Sequence, residues 1–66
     1  MKLMVNGEQR TREGQGTLAD LLRELRAPEG HVAVILNGTV LRSDRFVETQ
    51  LNEHDNIEII AFAGGG

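Results

Sequence analysis

The chain has 66 residues, a formal net charge of -3, no cysteine, and only two aromatic residues, both Phe. A chain of that length is one domain with a small core and little room for an enclosed active site. The missing cysteine removes disulfides, thiolate metal sites and thiol nucleophiles together.

The basic residues (Lys2, Arg10, Arg12, Arg23, Arg26, Arg42, Arg45) are scattered. With no basic block and almost no aromatic platforms, nucleic-acid binding is not expected. No apolar run is long enough to span a membrane and no signal-peptide pattern opens the chain, so a soluble protein of the cytoplasm is expected.

Met1 to Val5 sets Met1, Leu3 and Val5 on one side and Lys2 and Met4 on the other, a period of two that reads as a strand. Asn6-Gly7 is a strong hairpin signal, because a type I′ turn needs positive φ at both central residues. Glu8 to Arg12 is then the returning strand, polar enough to lie at a sheet edge. Glu13-Gly14-Gln15-Gly16 reads as a flexible connection; its Gly-Gln-Gly is too incomplete to count as a dinucleotide-binding turn.

Thr17 is placed to cap a helix, with Asp20 three residues on in the manner of a capping box. Leu18, Leu21, Leu22 and Leu25 form one apolar stripe. Pro28 stops that helix by Arg26 or Ala27. Val32-Ala33-Val34-Ile35-Leu36 reads as a central strand, Asn37-Gly38 as a second turn, and Thr39 to Arg42 as a short fourth strand. Ser43 to Thr49 is irregular, with one helical turn capped by Ser43, and Phe46 and Leu51 anchor this stretch to the core. Asn52 to Asp55 is a polar turn and Asn56 to Ala63 the last strand. His31 and His54 fall in polar turns without convergent partners, so they read as surface residues, and no metal site is expected.

These elements make an α+β domain in which a four- or five-stranded mixed sheet curls over one helix. Leu3, Val5, Leu18, Leu21, Leu22, Leu25, Val32, Val34, Leu36, Ile57 and Ile59 are its expected core. If Ile57, Ile59 and Ala61 point inward, then Glu58, Ile60 and Phe62 point outward. Met4 and Ile35 share that outward parity on strands expected to flank the last one. Met4, Ile35, Ile60 and Phe62 are therefore the candidate docking patch.

Residues 1–63 form the expected domain and residues 64–66 a tail. Gly64, Gly65 and Gly66 carry no side chains, and three residues reach about 10 Å. A terminal carboxylate on such a thread suits insertion into another protein's active site, where it acts as a nucleophile toward a phosphoanhydride.

In this order, "NGE", "TLADLL", "VAVILNG" and "DNIEIIAFAGGG" make the chain resemble the ubiquitin-like β-grasp sulfur carriers, the ThiS/MoaD family, along essentially its whole length. No single piece is specific; their order ahead of a closing Gly-Gly pair is. The small subunit of molybdopterin synthase shares the fold and the Gly-Gly end but is usually longer.

The resemblance implies a carrier with no catalytic residues and no bound cofactor of its own. Gly65-Gly66 matches the family's functional pair, and Gly66 is the residue that becomes adenylated and then thiocarboxylated. The implied partners are a ThiF-like, E1-type adenylyltransferase using ATP and Mg²⁺, a cysteine desulfurase as the ultimate sulfur source, and a ThiG-like thiazole synthase of thiamin biosynthesis. A molybdopterin or tRNA-thiolation client is the alternative within the same fold. A non-covalent interaction module with an inert tail is the alternative outside it.

Overall fold

Both Asn-Gly pairs form the turns that their chemistry demands. Asn6 and Gly7 have φ of 51° and 83°, Asn37 and Gly38 of 49° and 87°. The first turn joins β1 (Lys2–Val5) to β2 (Glu8–Thr11), and the second joins β3 (Val32–Leu36) to β4 (Thr39–Leu41). The structure, a computed structural model, describes residues 1–27 and 29–61. The last strand, β5 (Asn56–Ala61), lies between the two hairpins, giving the order β2-β1-β5-β3-β4. It runs parallel to β1 and antiparallel to β3, so the sheet is mixed and five-stranded. The middle strand is therefore β5. β3, expected to be a central strand, is an interior one flanked by β5 and β4, with Val32 and Val34 buried and Ala33 and Ile35 only partly covered on its other face.

The helix α1 (Leu18–Glu24) starts as expected. Thr17 accepts from the Asp20 amide at 3.2 Å, and Asp20 Oδ2 accepts from the Thr17 amide at 2.9 Å, which completes the capping box. The helix ends at Glu24 through backbone bonds that need no proline. Arg26 N donates to Arg23 O (3.0 Å) and Ala27 N to Leu22 O (2.8 Å), with Arg26 at φ 58°. This is a Schellman ending in which arginine holds the left-handed position that glycine usually takes.

One face of the sheet packs on α1. Leu3, Val5, Val32, Val34 and Ile57 bury against Leu18, Ala19, Leu21 and Leu22. Phe46 and Leu51 close the core as anchors, at 1% and 3% exposure. Leu25, Leu36 and Ile59, expected inside, are partly buried at its margin. Ser43 does not cap the irregular stretch: a 3-10 helix runs Ser43–Glu48 with Arg42 at the cap position and no side-chain cap bond.

The Gly14–Gly16 connection is also tied down more firmly than its composition suggested. Gly16 O accepts from Leu51 N (2.9 Å), and Leu18 N donates to Thr49 O (2.8 Å). The Arg12 guanidinium lies against Gly16 while it grips Glu24 through Nε (3.0 Å to each carboxylate oxygen) and Nη2 (2.7 Å). That pairing holds the Arg12 guanidinium above its ordinary pKa.

Asp55 is the one buried charged residue among those described, at 6% exposure. Its carboxylate accepts from Asn37 Nδ2 and from the Asn52 amide, both at 2.8 Å, which supplies the donors that a buried carboxylate requires. The polar turn therefore does more than close a loop. It fastens the β3–β4 turn to the start of β5.

Candidate functional site

The candidate site is the end of β5 and the sheet face away from the helix. Ile57 is fully buried against α1, so by alternation Glu58 and Ile60 lie on the opposite face. On β1, Leu3 and Val5 are buried and Met4 is 39% exposed. On β3, Val32 and Val34 are buried, which places Ala33 and Ile35 outward. The outward parity expected for Met4, Ile35 and Ile60 is thus the observed one. Ala61, expected inward, is exposed, and Phe62 lies outside the described residues. So do Gly64, Gly65, Gly66 and the boundary expected after residue 63.

The register decides which of these residues are neighbours. Ala33 faces Ile60, and Ile35 faces both Glu58 and Val40. Ile60, Ala33, Ile35 and Val40 therefore form one apolar run across three strands, with diagonal neighbours about 7–8 Å apart. Met4 shares the face but not the run. It pairs with Asn56, four residues before Ile60, a distance of about 13 Å along the strand. Asn56 and Glu58 stand between them.

Val40 is 66% exposed and was missed from the sequence. The signal was present: a two-residue Asn37-Gly38 turn pairs Leu36 with Thr39 and hence Ile35 with Val40. Beside this run lies a shallow depression of about 270 Å³, lined by Gly30, Ala33, Val40 and Arg42 among others. Arg42 is exposed and supplies positive charge on the rim.

The chemistry available within the described residues is sparse. No group of three or more His, Asp or Glu among them is placed to hold a metal ion. His31 sits exposed in a 3-10 turn (Glu29–His31), and His54 is exposed in a turn at φ 67°. No described helix is long and apolar enough to cross a membrane. What the arrangement offers is a middle strand that leads toward three glycines, with an apolar run beside its final residues.

Comparison with known proteins agrees with this geometry. The model of the ThiS family matches residues 3–66. The chain is 34% identical to the sulfur carrier protein ThiS of Bacillus subtilis over 65 residues, covering 97% of this chain and 98% of that one. A crystal structure of the thiamine biosynthesis protein ThiS from Geobacter metallireducens superposes with a TM-score of 0.84 at 36% identity, covering both chains completely. The chain is also 38% identical over 66 residues to a thiazole synthase of Paramagnetospirillum magneticum, but spans only 20% of that protein's length.

Proposed function

The chain belongs to the ThiS family, the sulfur carriers of thiamin biosynthesis, and from that premise we propose how it carries sulfur. The Gly66 carboxylate attacks the α-phosphorus of ATP, held with Mg²⁺ in a ThiF-like adenylyltransferase. Pyrophosphate leaves, and the product is a mixed anhydride with AMP. Conversion to an anhydride is needed because a carboxylate resists nucleophiles at its acyl carbon, whereas AMP is a good leaving group. Sulfur drawn ultimately from a cysteine desulfurase, released as hydrosulfide by a reducing thiol that leaves as a disulfide, then attacks that carbon; the C–O bond to AMP breaks, AMP and a proton depart, and a terminal thiocarboxylate remains. A ThiG-like thiazole synthase takes the sulfur onward. The chain is the co-substrate in each step and supplies no catalytic group or bound cofactor.

The observation that carries this reading is the position of β5. The strand that leads to Gly64-Gly65-Gly66 is held on both sides within the sheet, so a rigid body presents a side-chain-free end. Residues 64 and 65 without side chains let a narrow channel close on their backbone. The apolar run of Ile60, Ala33, Ile35 and Val40 is the docking surface for the activating enzyme, with Met4 farther out on the same face. That a thiazole synthase contains a stretch similar to this whole chain supports the final recipient. We place the chemistry in the cytoplasm.

The test is intact mass. Incubation with the adenylyltransferase, ATP, Mg²⁺ and a sulfide source should raise the mass by ~16 Da, one sulfur for one oxygen, while a chain lacking Gly65 and Gly66, and so without a closing Gly-Gly pair, should gain nothing. An unchanged mass for the full chain, with the enzyme shown to be active on another carrier, would refute the reading.

A further inference from the structure

The two hairpin turns share more than a dipeptide, because both asparagine side chains reach β5. Asn37 Oδ1 accepts from Asn56 N at 2.8 Å, at the start of the strand. Asn6 Oδ1 accepts from Ile59 N, also at 2.8 Å, near its end. The two positions differ in what surrounds them. On the β3 side, strand pairing follows β5 as far as Ala61. On the β1 side it stops at Met4↔Asn56 and Val5↔Ile57.

The parallel ladder there runs from Met4 N to Asp55 O, then from Asn6 N to Ile57 O, both 2.9 Å. Continuing it would require the main-chain carbonyl of Asn6 to accept from Ile59. Asn6 is in the left-handed turn conformation, and its side-chain carbonyl accepts instead. Among the described residues this is the last bond that holds β5 from the β1 side.

We infer that Asn6 is a positioning residue for the reactive end: its side chain replaces the missing strand partner at Ile59 and so determines where β5 ceases to be held on its β1 side, leaving only β3 to guide the strand beyond it. This rests on the carrier reading above. The residue choice follows from the two demands together. Glycine accepts the backbone conformation but has no acceptor. Alanine has neither property. Asparagine and aspartate have both. A shift of the release point by one residue moves the outgoing chain by about 3.3 Å, enough to misplace a carboxylate that must meet an α-phosphorus in line.

Asn6→Gly and Asn6→Asp both keep the turn, and only the first deletes the acceptor. Amide exchange by NMR should show the Ile59 N–H opening about tenfold faster in Asn6→Gly, with Asn6→Asp close to the parent. The Ile60 amide, which points toward β3, should be unaltered in both. With the adenylyltransferase and ATP, pyrophosphate release at a temperature where all three proteins are folded should show a KM about threefold or more higher for Asn6→Gly alone.

Unchanged protection of Ile59 in Asn6→Gly would overturn the clamp. Fast Ile59 exchange with an unaltered KM would overturn the positioning role and leave a purely structural bond. A parent protein that releases no pyrophosphate would overturn the carrier reading and the positioning role with it, while the exchange measurement would still decide the clamp.

Discussion

Replacing Ile60 by aspartate separates folding from docking. Ile60 is 48% exposed, so only about half of its side-chain transfer energy is at stake, or about 1 kcal/mol. A domain of this size has a stability of roughly 3–10 kcal/mol, so the variant should remain folded. If Ile60 sits within a docking surface, a charge there costs about 2 kcal/mol or more in binding, close to 30-fold in KM. Val47→Asp is the matched control. Val47 is 64% exposed and adds the same charge, but lies on the 3-10 helix that packs against α1. Steady-state pyrophosphate release against carrier concentration, with urea unfolding run in parallel, reads both quantities. Ile60→Asp should raise KM about 30-fold with its unfolding midpoint only modestly lower, and Val47→Asp should leave KM alone. Equal KM values for the two variants would refute the assignment of this face.

Asp20 gives a pH prediction. Its carboxyl is held below the ordinary 3.8 first by the Thr17 backbone hydrogen bond, with further help from the Thr17 hydroxyl and Arg23. A depressed folded pKa means that the stabilisation is complete above the unfolded value and disappears as pH falls through the folded one. The urea midpoint of the parent minus that of Asp20→Asn should therefore be constant near neutrality and shrink below about pH 4; a difference that does not shrink as the pH falls below that point would contradict the capping-box origin. At Gly16, an added Cβ would stand 2.7 Å from both terminal nitrogens of Arg12, so the guanidinium must shift from the position in which it pairs with Glu24. Gly16→Ala should cost up to about 1 kcal/mol in the parent, but stabilise an Arg12→Ala background by about 0.5 kcal/mol, because the lost chain entropy then works alone. The same sign in both backgrounds, measured by urea unfolding, would remove Arg12 from the explanation.

The fold was legible wherever one residue type answers one local demand. The paired Asn-Gly turns, the Thr17 cap and the leucine stripe name their elements without reference to the rest of the chain. The outward parity of Met4, Ile35 and Ile60 follows from alternation alone. Asp55 could not be read that way, because it looks like any turn carboxylate until Asn37 is brought up from 18 residues away to bond it. The second role of Asn6 is hidden for the same reason, since its partner Ile59 is 53 residues distant. The helix end misled in the other direction. Pro28 looked sufficient to stop it, yet Arg26 occupies the left-handed residue at which it ends. Val40 was within reach of hairpin arithmetic and was overlooked because a three-residue strand shows almost no period of its own.

The arrangement of the sheet also governs how the molecule is made. In the sheet the two hairpins are joined through β5, the strand that leaves the ribosome after the other four. Until it arrives, the growing polypeptide holds two ribbons that share no backbone ladder, with only the leucine-rich face of α1 to bridge them. A polypeptide cut short upstream of β5 therefore lacks the strand that completes the sheet, so the sequence that leads to the reactive end is also the one that closes the fold.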